Sequence, residues 1–226
     1  MIPPLHVVTD TATLMADGFY EAAARVLEAG GDRVALHLRG KELTGRRLLE
    51  VADRLLPVAR TVGGKLLVNE RVDVALLAGS DGVHLPEAGL PVRAVRSLLP
   101  GGALVGRSVH GPVALDPQDR PDYLLVGTIF PTPSHPGREG AGVDLIRRVG
   151  GVAGGLPVIA IGGITAGRIA EVVGAGAAGV GVLRAVWDAR RPAEAVDILL
   201  VELVRTLPGG GSEQAVRDRD QFETRE

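Results

Sequence analysis

The sequence predicts an α/β protein of the (β/α)8, or TIM-barrel, class, and three observations carry that expectation. Short β-branched runs alternate with longer stretches of helical period, the pattern of repeated βα units around a parallel sheet. Eight such units can be counted before the chain turns hydrophilic. Apolar residues make up 46% of the 226, yet only 3% are aromatic and 32 are glycine, which implies a core of Val, Leu, Ile and Ala joined by many tight turns. A doubly wound open sheet is the rival fold. It is disfavoured because the first strand runs into Val7-Val8-Thr9-Asp10-Thr11-Ala12, with no Gly-x-Gly-x-x-Gly turn.

Taken in order, the β-branched and leucine-rich runs place strands at Leu5 to Thr9, Arg33 to Arg39, Lys65 to Asn69, Asp81 to Leu85, Ala103 to Val109, Asp122 to Ile129, Pro157 to Gly162 and Gly179 to Leu183. Helical periodicity places helices at about Gly18 to Ala29, Thr44 to Val62, Glu70 to Ala78, Pro91 to Leu99, Val143 to Val152, Thr165 to Gly174 and Pro192 to Thr206. The linker after the fifth strand carries Pro112, Pro117 and Pro121, so at most one short, capped helical turn fits there. The barrel domain is expected over residues 1–208. From Gly209 to Glu226 too little apolar content remains to bury, and a mobile tail is expected.

Charge and composition exclude several function classes. Lys and Arg total 25 against 27 Asp and Glu, for a net charge of −2, so nothing suggests a nucleic-acid-binding face. The absence of cysteine rules out disulfides, thiolate catalysis and cysteine-ligated zinc. No run approaches the roughly 18 apolar residues of a membrane span, and MIPPLHVVTD lacks the features of a signal peptide; a cytoplasmic protein is expected.

In this fold catalytic groups gather at the C-terminal ends of the strands. On the second strand, Ala35, His37 and Arg39 share one face and Leu36 and Leu38 the other, so the polar series faces the barrel interior. With Lys41 it makes a cationic mouth for a phosphate or carboxylate, unless Arg39 simply pairs with a structural acid. On the fifth strand Gly106, Ser108 and His110 alternate with Val105, Arg107 and Val109. His110 stands at the strand end as a general acid or base, or as a side chain that caps a loop. Gly162-Gly163 after the seventh strand, with Leu183 to Ala185 after the eighth, suits a phosphate cup at a short helix start, to which Arg184 adds charge. Asn69 is a candidate ligand contact. Arg71 and Asp73 are read as a structural pair, and His84 as a structural histidine. The Gly- and Pro-rich stretch from Thr128 through Thr132 and His135 is a candidate lid, with Thr128 among the substrate contacts.

The ordered series His6-Val-Val-Thr-Asp, His37-Leu-Arg39-Gly-Lys41, Val68-Asn69-Glu70-Arg71-Val-Asp73, Asp81-Gly-Val-His84-Leu, Gly106-Arg-Ser-Val-His110, Gly127-Thr-Ile-Phe-Pro-Thr-Pro and Ala160-Ile-Gly162-Gly163-Ile resembles the thiamin phosphate synthase and TenI superfamily over about residues 5 to 205. Its synthases join a pyrimidine diphosphate to a thiazole phosphate with magnesium. Their pattern has Gln where His37 stands, Asn-Asp where Asn69-Glu70 stands, Gly-Gln-Glu-Asp where Pro86-Glu87-Ala88-Gly89 stands, and a lysine where His135 stands. Glu70 and Glu87 partly compensate for the lost metal-binding aspartate. The TenI-like thiazole tautomerases look closer, because their pattern carries the His-Leu-Arg strand and Gly-Arg-Ser-Val-His.

That branch implies a metal-free, cofactor-free isomerase. Its substrate is a carboxythiazole phosphate with an exocyclic double bond. His110 shuttles the proton, and Arg39 with Lys41 holds the carboxylate or stabilises developing charge. The phosphate sits on Gly162, Gly163, Leu183 and Arg184, and His37, Asn69, Ser108 and Thr128 complete the substrate contacts. Two alternatives stand beside it: a synthase using magnesium, and a non-catalytic barrel that binds the thiazole phosphate. The expected partner is the small-molecule substrate, with no nucleic acid and no membrane, and the expected assembly is a homodimer.

Overall fold

The computed structural model describes residues 1–112, 116–133, 137 and 139–208. The expected tail from Gly209, and His135 with its neighbours 134, 136 and 138, lie outside the described residues. Eight strands close into a barrel: β1 (Leu5–Val8), β2 (Val34–Leu38), β3 (Lys65–Asn69), β4 (Gly82–Leu85), β5 (Leu104–Val109), β6 (Tyr123–Val126), β7 (Val158–Ile161) and β8 (Gly179–Val182). Every pair is parallel, each strand pairs with the next in sequence, and Leu5 of β1 pairs with Val180 of β8 to close the ring. The expected (β/α)8 class is the observed one.

The helices are α1 (Thr11–Met15), α2 (Phe19–Gly30), α3 (Gly45–Val62), α4 (Val72–Ala78), α5 (Val92–Arg96), α6 (Asp144–Val152), α7 (Ile169–Gly174), α8 (Arg184–Trp187) and α9 (Pro192–Thr206). In α3 the buried Leu48, Val51, Ala52, Leu55, Leu56 and Ala59 recur on one face, Thr44 caps the start by accepting from the Arg47 N–H, and Gly63 at φ 77° ends it. The third-unit helix starts at Val72, two residues later than expected, because Glu70 takes a positive φ of 66° and the Arg71 N–H turns back to the Asn69 carbonyl. α1 escapes the sequence reading: its five residues span less than two turns, and Asp10 caps it by accepting from Thr13. Among its described residues the proline-rich fifth linker holds one short 3-10 turn, Pro117–Asp119, capped by Asp116. No helix among the described residues is long and apolar enough to cross a membrane.

Strand alternation divides the core into two layers. Leu36, Leu38, Val105 and Val109 face outward into the large layer between sheet and helices, while Ala35, Leu67, Tyr123, Leu125 and Ile159 fill the barrel itself. His6, His37 and His84 are buried in that interior as well, a polar filling where branched apolar side chains are usual. Gly106 makes room for it, since a Cβ there would lie 2.1 Å from the Tyr123 ring. Two aspartates tie the lower ends of the strands: Asp81 accepts from the Leu66 N–H at 2.9 Å and Asp122 from the Val105 N–H at 2.7 Å.

Candidate active site

The C-terminal ends of the strands surround a cavity of about 630 Å³. Ten of the eleven expected site residues line it: Arg39, Lys41, Asn69, Ser108, His110, Thr128, Gly162, Gly163, Leu183 and Arg184. His37 is the exception. It is fully buried beneath the floor, between His6 and Asn69, and its expected role as a substrate contact is corrected to one of support. A smaller hollow of about 370 Å³ between α1, α2 and α8 lies alongside, and Leu183 and Arg184 stand between the two.

The floor consists of two hydrogen-bonded chains. His6 Nδ1 lies 2.8 Å from His37 Nε2, and His37 Nδ1 lies 3.0 Å from Asn69 Oδ1. Asn69 Oδ1 accepts, so a neutral His37 carries its proton on Nδ1 and its bare Nε2 accepts from His6. In the second chain His84 bridges Tyr123 Oη (3.0 Å from Nδ1) and Ser108 Oγ (2.8 Å from Nε2). Burial lowers the pKa of His37 to about 4, and burial followed by the like charge of His37 holds His6 and His84 well below the usual histidine value. Burial likewise pushes the Tyr123 hydroxyl well up. The imidazoles are therefore neutral near pH 7 and orient Asn69 and Ser108 toward the cavity.

The walls differ in chemistry. On one side Arg39 is set by its backbone N–H, which donates to Thr9 Oγ1 at 2.9 Å, and Lys41 follows. Across the barrel, Gly162 (φ 103°) and Gly163 (φ 63°) turn the chain after β7. Their lack of Cβ is required by neighbours as well as by φ: a Cβ on Gly162 would lie 2.5 Å from Thr128 Cγ2, and one on Gly163 2.7 Å from the Pro131 carbonyl. Arg168, which the sequence reading missed, donates to the Gly163 carbonyl at 2.7 Å and lies over the Phe130 ring, propping this turn. Trp187 Nε1 donates to the Val8 carbonyl at 2.8 Å and fixes α8 against β1. The candidate lid begins at Thr128, whose carbonyl accepts from Ala141, and Thr132 and Pro133 line the cavity.

His110 stands at the rim, 56% exposed, and its partner was not foreseen. Its ring Nδ1 lies 2.7 Å from Glu87 Oε2, and its backbone N–H donates to Glu87 Oε1 at 3.1 Å. Burial pushes the Glu87 carboxyl up, but these two bonds outweigh it and leave the pKa below the usual value. Arg71 and Asp73 pair as expected, at 2.6 Å. His84 is structural in its burial, yet it also lines the cavity floor.

A family model described as thiamine monophosphate synthase matches residues 5–186. The chain belongs to the thiamine monophosphate synthase family. A thiamine-phosphate synthase of Mycolicibacterium smegmatis is 37% identical over 204 residues, covering 86% of this chain and 89% of its own. One from Methanoculleus marisnigri is 40% identical over 186 residues, 80% of this chain and 86% of its own. The solved structure of thiamine phosphate pyrophosphorylase from Pyrococcus furiosus superposes with a TM-score of 0.75 at 28% identity, over 90% of this chain and 96% of its own. These relatives overturn the expected thiazole tautomerase. The motifs that suggested it, His37-Leu-Arg39 and Gly106 to His110, lie along and just past the ends of β2 and β5, and such a scaffold does not specify a reaction. The chain is an enzyme of the synthase family, not the expected isomerase.

Magnesium, which the synthase pattern implies, finds no prepared site here. Among the described residues no group of three or more His, Asp or Glu is arranged to hold a metal. Of the carboxylates on the cavity wall, Asp10 accepts from Thr13, Glu42 from the Thr11 hydroxyl and Glu87 from His110 through both oxygens. Glu70 alone is not a metal cage, and the residues present do not fit the ion.

Proposed function

We propose that the protein is a thiamine-phosphate synthase, a cytoplasmic transferase that joins a pyrimidine diphosphate to a thiazole phosphate and releases diphosphate. The observation that carries this reading is the presence of two unlike anion-binding walls in one cavity. Arg39 and Lys41 supply full charges on one wall; the glycine turn after β7 and the Leu183–Arg184 segment supply backbone groups and one guanidinium on the other. The two walls seat a diphosphate and a monophosphate at the same time, and the similarity to thiamine-phosphate synthases favours this pairing over one substrate that spans both walls. The cavity, about 630 Å³, lies within the range that takes small ligands.

In this reading the more highly charged diphosphate lies against Arg39 and Lys41, where side-chain cations offset its charge. The thiazole phosphate lies at Gly162, Gly163 and Leu183 to Arg184, at the start of α8. Asn69 and Ser108, oriented by His37 and His84, meet the polar atoms of the heterocycles, and Thr128 lines the side after β6. Catalysis then consists mainly of alignment: both substrates are fixed with the reacting atoms in contact while the leaving group is stabilised.

The test is incubation of the purified chain with hydroxymethylpyrimidine diphosphate and thiazole phosphate, following diphosphate release and the coupled product together. Equal amounts of the two support the synthase. Diphosphate release without coupled product, or no reaction of either substrate, refutes it.

A further inference from the structure

Three features of the rim stand apart from the synthase pattern and point the same way. First, Glu87 grips residue 110 at two points, with Oε1 accepting from the backbone N–H at 3.1 Å and Oε2 meeting ring Nδ1 at 2.7 Å. Both oxygens are thereby committed to one residue, and His110 is left with Nε2 as the ring nitrogen that faces a ligand. Second, position 89 is closed to side chains. The Gly89 N–H donates to the Pro86 carbonyl in a tight turn, and a Cβ added at Gly89 would lie 2.9 Å from both Cδ and the carbonyl oxygen of Pro86. No carboxylate can be carried from that position into the cavity without rebuilding the turn. Third, Arg39, Lys41 and Arg184 line the same cavity, so the positive charge that an anion needs is already covalently in place.

We propose that Glu87 is the positioning residue of His110 rather than a metal ligand, and that this chain binds diphosphate without a divalent cation. The physical reason is charge balance at the rim. A metal-dependent diphosphate site sets carboxylates around the cation, and those carboxylates repel the diphosphate unless the cation is present. Here Gly89 carries no such carboxylate, and both oxygens of Glu87, in the same turn, are engaged by His110. Glu87 Oε2 accepts from His110 Nδ1–H and so fixes the ring's orientation, which leaves Nε2 as the nitrogen available to a ligand. The inference deepens the synthase reading, from which it takes diphosphate as the ligand.

The experiment is calorimetric titration of sodium pyrophosphate into the full chain, once with EDTA and once with excess magnesium. Dissociation constants that agree within about threefold are expected; tightening of about tenfold or more by magnesium, or no binding in either buffer, overturns the proposal. Nitrogen-15 spectra of His110 test the positioning role separately. The Nδ1–H form should dominate in the wild type and give way in Glu87→Ala, with pyrophosphate affinity falling about tenfold. An unchanged tautomer in that variant assigns the Glu87 contact a merely structural role and overturns it. The double variant Pro86→Gly/Gly89→Asp, which opens the turn and restores an acid, should acquire magnesium-dependent binding; metal-independent binding unaltered by it counts against the charge-balance argument. The turnover assay with both substrates keeps the two readings apart. Metal-independent pyrophosphate binding without coupled product refutes the synthase and leaves this inference standing, whereas coupled product with binding that requires magnesium does the reverse.

Discussion

His6 and His37 meet nitrogen to nitrogen, 2.8 Å apart, in the middle of a barrel that excludes solvent from both. Neither is charged near neutral pH, because burial lowers the pKa of His37 to about 4 and that of His6 well below the usual 6.5. In the unfolded chain both return to ordinary histidine values. Between pH 6.5 and about 4 the unfolded state therefore binds more protons than the native one, so stability rises with pH across this window and is lost as pH falls through it.

The size of that loss is a first prediction. For His37 alone the difference corresponds to about 3 kcal/mol as an order of magnitude. His6 and His84 act with the same sign. Urea unfolding at a series of pH values should show a steep decline below pH 6.5, and His37→Gln, which replaces the titratable ring by a neutral amide, should flatten it. An identical pH dependence in that variant would show that the acid sensitivity lies elsewhere.

Tyr123 offers a second. Its hydroxyl lies 3.0 Å from His84 Nδ1 in a fully buried setting, and the other nitrogen of the same ring meets Ser108 at the cavity floor. Tyr123→Phe keeps the ring packing and removes one partner from a buried imidazole, a change worth about 1–3 kcal/mol. We expect that loss in chemical denaturation, accompanied by a raised KM as the orientation of Ser108 relaxes. A stability equal to wild type would mean that His84 finds another partner.

How far the sequence carries the site can be judged from these same residues. Period-two alternation sorts Ala35, His37 and Arg39 to one face and Ser108 and His110 to one face, and the barrel honours both. Alternation does not give depth along the barrel axis. That is why alternation alone puts His37, two residues short of Arg39, among the ligand contacts although it lies below the floor. Nor does it give partners across the sheet: the His37 to Asn69 and His84 to Tyr123 bonds span 32 and 39 residues of sequence. Glu87 was visible only as a possible replacement for a lost acid, because its pairing with His110 depends on how the turn after β4 lies against the end of β5. The reaction was the least legible part, since the motifs that build the scaffold do not name the chemistry it performs.

A third prediction concerns the turn after β7. Gly163 has φ 63°, and a Cβ there would approach the Pro131 carbonyl to 2.7 Å and Phe130 Cβ to 2.9 Å. Gly163→Ala combines positive-φ strain with a backbone collision and should destabilise the fold by about 1–3 kcal/mol. It should also push the Phe130 to Pro131 segment off the thiazole phosphate wall and raise KM for that substrate more than for the diphosphate. Equal effects on both substrates would separate the turn from the assigned wall.

The last prediction turns on Thr9, which ties the first strand to the cationic wall. Its hydroxyl donates to the His37 carbonyl at 3.0 Å and accepts from the Arg39 N–H at 2.9 Å, so one buried oxygen fixes both the end of β2 and the residue that carries the guanidinium. Thr9→Val nearly preserves shape but leaves a backbone N–H and a carbonyl without this partner, at a cost of about 1–3 kcal/mol. Were Thr9 only a packing residue, kinetics measured well below the unfolding midpoint would be unchanged. If it sets Arg39, KM for the diphosphate substrate should rise by about tenfold while KM for the thiazole phosphate, held across the barrel, stays near its original value. Arg39→Ala should give the same pattern with a larger rise and a smaller loss of stability, because it removes the charge and leaves the Thr9 bonds to the backbone intact. The opposite ranking, with Thr9→Val harming binding more than Arg39→Ala, would mean that the backbone at the end of β2, and not the guanidinium, makes the contact with diphosphate.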